Sequence, residues 1–324
     1  MKATRAQLVA GFLCVYIVWG STYLAIRYGV ATIPPFIMSG IRFMAAGSAL
    51  YGWSRFRGGA KPDREQWKNA FIIGALLLLV GNGAVSWAEQ RVSSSMTSLL
   101  VATVPLWLVL AELYNGRRPK LLQWVGVAVG LIGVALLVMP SGTVTGAPTG
   151  AVTATASNVA TRAASTVSPT GAIVLMIGSL SWTVGSLFAR TARLASPPSM
   201  ASGMQMLSGG VLMLLLSVVS GEWSAFHANA VTATSIFALL YLVVFGSIVG
   251  FSTYMWLLSV ASPAAVGTYA YVNPVVAVLL GVVVGGEMLP PSAGLAMLVI
   301  IGSVALVSLA PYLRRRESPE ADST

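Results

Sequence analysis

Only 9% of the 324 residues are charged, and the chain holds a single cysteine and a single histidine. With Cys14 alone, a disulfide within the chain is excluded and thiol redox chemistry loses its resolving partner; a small packed residue is the simpler reading. With His227 alone, in a connecting stretch, no histidine-based metal or catalytic pattern can be assembled. The sequence has no Gly-x-Ser-x-Gly elbow, no His-Glu-x-x-His, no Walker loop and no pair of intramembrane aspartates, which argues against an intramembrane enzyme and against ATP drive. Acids are sparse as well. Asp63, Glu65, Glu222, Glu317, Glu320 and Asp322 fall in loops or the tail, and Glu89, Glu112 and Glu287 fall near the ends of apolar stretches. With no carboxylate predicted at mid-membrane, facilitated export is favoured over proton antiport, and Glu89 and Glu112 are the candidate proton relays if coupling exists. No cofactor and no metal are expected.

What the chain has in abundance is apolar surface. Hydrophobic residues make up 56% of it and the mean hydropathy is +0.82, more than one soluble core can bury. The apolar stretches run about 18 to 24 residues, the length that crosses roughly 30 Å of hydrocarbon as helix. Ten are predicted, at 8–28, 36–54, 69–88, 95–114, 121–139, 171–189, 199–219, 235–258, 267–285 and 292–312. The first is too long for the apolar core of a secretory signal and is expected to remain as a helix.

The net charge of +10 follows membrane topology rather than a nucleic-acid surface, and no nucleic-acid partner is expected. A cytoplasmic N-terminus puts Lys2, Arg5, Arg55, Arg57, Lys61, Arg64, Lys68, Arg117, Arg118, Lys120, Arg190, Arg193, Arg314, Arg315 and Arg316 on the inside, fifteen of the nineteen basic residues. Arg27, Arg91 and Arg162 fall outside, and Arg42 lies within the second span. Both termini are therefore predicted to be cytoplasmic, with the terminal arginines anchoring at the headgroups.

The sequence also repeats itself. A shift of 163 superimposes Trp19 on Trp182, Arg27 on Arg190, Pro34-Pro35 on Pro197-Pro198, Ser39-Gly40 on Ser202-Gly203 and Gly47 on Gly210. A shift of 169 matches Gly81 with Gly250, Trp87 with Trp256, Pro105 with Pro274, Gly116 with Gly285 and Gly133 with Gly302. Five spans per half is an odd number, so the second half enters the membrane from the opposite side. Inverted halves of this kind suit alternating access around a central site. The expected fold is thus an all-α integral membrane protein of ten transmembrane helices in two inverted five-helix repeats. Residues 1–139 form the first repeat, 140–170 a flexible external linker, 171–313 the second repeat and 314–324 a cytoplasmic tail.

The chain carries Trp19-Gly20-Ser21-Thr22-Tyr23 with Arg27, Pro34-Pro35, Arg42-Phe43, Val80-Gly81-Asn82-Gly83, Val101-Ala102-Thr103-Val104-Pro105, the run from Tyr269 to Gly281, and Gly285-Gly286-Glu287. In these motifs it resembles the EamA family of the drug/metabolite transporter superfamily, and within it the YedA-type inner-membrane transporters. The resemblance implies ten helices, cytoplasmic termini and a cavity between the halves for export of small metabolites, amino acids or toxic compounds. One departure stands out: the family's acidic residue thirteen positions after the repeat proline is met by Glu287 after Pro274, whereas Arg118 takes that place after Pro105.

The candidate substrate-binding residues are Trp19, Thr22, Tyr23, Asn82, Trp107, Trp182, Ser186, Tyr269 and Asn273. Trp19 and Tyr23 stand one turn apart on one helix, as do Tyr269 and Asn273 on another. Trp19 and Trp182 sit about 11 residues into their spans, deeper than an interfacial aromatic belt, and offer faces for stacking or cation binding. Pro105 and Pro274 remove a helix hydrogen bond each and are candidate helix breaks or gates. Arg42, costly in lipid, faces a polar interior where it binds an anionic group or pairs with protein carbonyls, with snorkelling or a structural hydrogen-bond network as the leading reading. Gly126-x-x-x-Gly130, Gly246-x-x-x-Gly250 and Gly281-x-x-x-Gly285 read as packing seams. The expected partners are a small-molecule substrate and the lipid bilayer, with the protein a monomer or homodimer; a scaffold or channel is the remaining alternative.

Overall fold

The computed structural model describes residues 4–114, 121–138, 168–261, 263–289 and 291–313, and every regular element among them is helical. The linker expected at 140–170 lies outside the described residues except for its last three, and Arg118, Arg162 and the terminal arginines lie outside them entirely. The main helices are α1 Arg5–Val30, α2 Pro35–Phe56, α3 Arg64–Ala88, α4 Ser94–Val101, α5 Val104–Tyr114, α6 Leu121–Val138, α7 Pro169–Thr191, α8 Pro198–Val219, α9 Ala233–Val260, α10 Tyr269–Val283 and α11 Pro291–Leu313. Six stretches are long and apolar enough to cross a membrane: α1, α3, Ser94–Ala111, α7, α8 and α9. Shorter apolar helices lie at Leu121–Leu136, Val272–Val283 and Ala293–Leu306.

The surface is arranged for lipid. Val9, Leu13 and Ile17 of α1, Ile173 and Ile177 of α7, and Phe237 and Leu240 of α9 all point outward, an apolar exposure that water would penalise. The interior is an apolar core that also holds small and polar groups, among them Ser39, Ser86, Ser179, Ser202, Gln205 and Ser247. Small residues at helix contacts are what permits close packing where lipid supplies no hydrophobic drive.

α2 and α8 pack along their lengths. Gly40 faces Leu214 and Gly47 faces Leu207, so numbers rise along one helix as they fall along the other and the pair is antiparallel. The contacts are reciprocal: Gly203 faces Tyr51 and Gly210 faces Met44. A side chain at Gly47 would meet backbone atoms, the Leu207 nitrogen at 2.8 Å and the Gly203 oxygen at 2.9 Å, which cannot swing aside. Gly47→Leu is therefore expected to destabilise the protein by about 3 kcal/mol, read as a lower midpoint of unfolding in detergent. Gly52→Leu on the same helix, where nothing lies within 4 Å, is expected to leave that midpoint unchanged.

The middle thirds of α3 and α9 are π-helical, over Gly74–Asn82 and Leu242–Phe251. A π-turn widens the helix and offsets the side chains that follow it, and such turns recur at functional sites. Here each wide segment carries a glycine that admits an indole from the other half of the chain. Gly81 lies against Trp182 and Gly250 against Trp19, where a Cβ would come within 2.9 and 2.6 Å of the rings.

The two repeat prolines occupy unlike positions. α4 ends at Val101 and α5 starts at Val104, so Pro105 sits in the first turn of a new helix, where its missing N–H costs nothing. Pro274 lies inside α10. The helix is broken just before Pro105, at Ala102 and Thr103, whereas it runs unbroken through Pro274 from Tyr269 to Val283.

Candidate functional site

α1 contacts α4, α9 and α10, and α7 contacts α3, α4 and α5, so these two helices stand at the centre of the molecule. The cavity between them is lined by Trp19, Thr22, Tyr23, Arg42, Asn82, Trp182, Tyr269 and Asn273, with Leu78, Gly81, Gly246 and Phe251 from the π-helical segments. Its empty space is about 710 Å³, counted with its open side.

One wall is a continuous aromatic cluster. The Trp19 ring centroid lies 4.7 Å from Tyr254, 5.5 Å from Trp182 and 5.6 Å from Tyr269, the two latter contacts edge-on. Trp182 and Tyr254 are 5.6 Å apart, and Tyr254 and Tyr269 5.9 Å. Such pairs contribute about 1 kcal/mol each beyond the area they bury. Polar edges are satisfied within the wall: Trp19 Nε1 donates to the Gly246 carbonyl at 3.3 Å, Trp182 Nε1 donates to the Tyr254 hydroxyl at 3.1 Å, and the Ser186 and Tyr254 hydroxyls share a 2.7 Å bond. Thr22 Oγ1 donates back to the Trp19 carbonyl at 2.7 Å. The rings are thus held edge and face, leaving an apolar aromatic surface.

Opposite that wall the polar groups are less occupied. The Asn82 Oδ1 is buried with no hydrogen-bond partner. Asn273, with its amide turned so that Nδ2 faces the carbonyls of Tyr269 and Tyr16, donates to them at 3.3 and 3.1 Å. It therefore serves backbone next to Pro274 while lining the cavity. Arg42 is 3% exposed, its Nε donates to Ser247 Oγ at 2.8 Å, its guanidinium lies 4.7 Å from the Phe43 ring centroid, and its Nη1 has no partner. Of the two readings favoured for Arg42, the structure has the hydrogen bond within the protein and not snorkelling, because α9 packs over it with Ser247. The cavity is consequently not an uncharged one.

Seven of the nine candidate binding residues line this cavity. Ser186 lies behind it, bonded to Tyr254 and lining a second, smaller cavity with Thr183, Arg190, Leu258 and Tyr269. Trp107 is half-buried away from the cavity lining, its Nε1 unpartnered. Tyr254, Ser247 and Phe251 were not singled out by sequence. Tyr254 corresponds to Val85 under the repeat shift, so self-similarity carries no signal there. The Glu112 side chain lies outside the described residues.

A charged cluster closes one end of the site. Glu287 accepts from Ser94 N and Oγ at 2.9 and 2.7 Å and from Ser95 N and Oγ at 3.1 and 2.5 Å, capping the start of α4. Arg27 Nε stands 3.5 Å from the same carboxylate, and Arg27 Nη1 donates to the carbonyls of Val92 and Glu89 at 3.2 and 3.5 Å. Burial pushes the Glu287 carboxyl up, but the hydroxyl and amide donors of Ser95 and Ser94 outweigh it and hold the group below its ordinary value of 4.5. At the other end Arg190 repeats the carbonyl contacts, donating to Leu258 and Ala261 at 3.1 and 3.2 Å. Among the described residues no group of three or more His, Cys, Asp or Glu could hold a metal ion.

Comparison with known proteins agrees with this geometry. Residues 7–139 and 169–309 each match the EamA-like transporter family. The chain is 40% identical over 309 residues to the uncharacterized inner membrane transporter YedA of Escherichia coli strain K12, covering 94% of this chain and 92% of the relative. It is 21% identical over 282 residues to the uncharacterized transporter YoaV of Bacillus subtilis strain 168, covering 85% and 87%. A protein of known crystal structure shares the fold, with a TM-score of 0.64 at 19% identity over 95% of this chain and 99% of that one.

Proposed function

Because the chain belongs to the EamA-like transporter family, we propose that it is a secondary transporter of the bacterial inner membrane that exports small metabolites, amino acids or drug-like compounds by alternating access. In this reading ten transmembrane helices form two inverted five-helix repeats, 1–139 and 171–313, joined by an external linker, with both termini cytoplasmic. The antiparallel packing of α2 on α8, which are matched helices of the repeat, supports the inversion. So do the matched contacts of Arg27 with Glu89 and Val92 and of Arg190 with Leu258 and Ala261, each pair three residues apart.

The observation that carries the reading is the reciprocal seating of Trp19 against Gly250 and Trp182 against Gly81. Each half inserts its indole into the π-helical segment of the other, so the site is shared, and a rocking of the halves exposes it first to one side and then to the other. Trp19, Trp182, Tyr23 and Tyr269 give a solute a stacking surface, and Asn82, Asn273 and Arg42 orient its polar end.

Counterflow in liposomes, screened over amino acids and cationic amphiphiles, tests this. A solute that exchanges should do so about tenfold more slowly in Asn82→Leu, the effect of losing one buried hydrogen bond to substrate, with the unfolding midpoint unchanged. If no solute of a broad panel moves, and substitutions at Trp19 or Asn273 alter nothing, the carrier reading fails.

A further inference from the structure

Glu89 terminates α3 and is 2% exposed, and neither of its carboxylate oxygens has a hydrogen-bond partner. An ionised carboxylate in that condition forfeits several kcal/mol of hydration with no hydrogen bond in exchange. The charged and titratable groups that face it are Arg27 and Tyr23 from α1, Arg42 from α2, and Glu287 from the segment after α10. Glu89 and Glu287 therefore both face Arg27, while Arg42 donates to Ser247 and makes no hydrogen bond to Glu89. Glu287 holds four donors from Ser94 and Ser95 together with Arg27 Nε, whereas Arg27 gives Glu89 only a bond to its backbone carbonyl. The negative charge belongs on Glu287, and Glu89 is left neutral.

From this geometry we infer that Glu89 is a proton-binding site whose occupancy holds the Arg27 end of the cavity shut. The inference rests on the alternating-access reading and adds a pH control of one end to it. While the end is closed, Glu89 is a carboxylic acid. When Arg27 and Glu287 separate and water enters, the O–H bond of Glu89 breaks, the proton passes to water and the carboxylate forms; closing takes one proton back. The matching position in the other half is Leu258, where Arg190 makes the same two carbonyl contacts without an acid. One end of the transport path thus responds to the pH of the compartment it opens to and the other does not.

The test reads the closure itself and needs no substrate. Leu24 is buried at this end, against the backbone of Gly285. In Cys14→Ala, Leu24→Cys protein reconstituted in liposomes, the rate of maleimide labelling, corrected for thiol ionisation with a denatured control, should rise about tenfold from pH 5.5 to about pH 8.5 as Glu89 ionises. Adding Glu89→Gln, the shape of the protonated acid without its titration, should keep labelling slow at both pH values. Adding Glu287→Gln should make it fast at both. Infrared difference spectra should show a buried carboxylic-acid C=O band at pH 6 that is missing in Glu89→Gln. A Glu89→Gln protein that keeps the pH-dependent rise, or a wild type without that band, overturns the proton site and leaves the carrier reading standing. Labelling that stays slow at every pH in every variant, Glu287→Gln included, overturns both.

Discussion

Trp19→Ala is expected to abolish counterflow and to destabilise the protein by about 3 kcal/mol, the low end of the range for truncating a buried tryptophan. Trp19 is the ring on which Trp182, Tyr254 and Tyr269 all converge, and its Nε1 donates to the Gly246 carbonyl in the π-helical segment of α9. Removing it opens a void at the junction of the two halves and leaves that carbonyl without its side-chain donor. Trp182→Ala should cost less, because it removes ring contacts to Trp19 and Tyr254 only and one bond to the Tyr254 hydroxyl, which still keeps Ser186. Trp19→Phe, which keeps a ring but not the donor, should retain part of both stability and transport. Unfolding midpoints in detergent alongside counterflow rates check this order.

The second large effect is expected at Glu287. Glu287→Ala strips four donors at the start of α4 of their acceptor and leaves Arg27 beside no carboxylate that is hydrogen-bonded. Breaking a buried charged pair from one side costs about 3 kcal/mol here, with the value kept at the low end because Arg27 is 34% exposed. Its pH dependence has a definite sign. The folded-state carboxyl titrates below its ordinary 4.5, so its contribution is fully present above that value and disappears as pH falls through the lower folded value. Wild-type stability should therefore decline as pH falls below the ordinary 4.5, and Glu287→Gln, already lower at neutral pH, should lack that component of the decline.

The helical, lipid-facing character of the chain was legible because it depends on local properties, the length of apolar runs and the spacing of their breaks. The repeat was legible for the same reason, and it led to Trp19 and Trp182 before any fold was in hand. What sequence missed depends on contacts between distant segments. Tyr254 has no counterpart in the first half, and Ser247 becomes Arg42's partner only once α9 crosses α2. The π-helical widening of α3 and α9 leaves no residue signature, since Gly81 and Gly250 read equally well as ordinary packing glycines. Arg42 and Glu89 were read by their distance from a span end, which measures depth along one helix and not the cover that neighbouring helices provide. Pro105 was read as the twin of Pro274, yet the turn at Ala102 and Thr103 restarts the helix just before it.

The central claim is that one site between the halves is reached from each side of the membrane in turn. Thr22 lines that site and is buried. In Cys14→Ala, Thr22→Cys protein, an impermeant maleimide added to vesicles of either orientation should modify the new thiol. A cross-link that fixes the Arg27 end shut should abolish labelling from that side while preserving it from the other. Labelling from one side only, or labelling from both sides that persists through the cross-link together with ion conduction, would contradict alternating access and point to a scaffold or a channel.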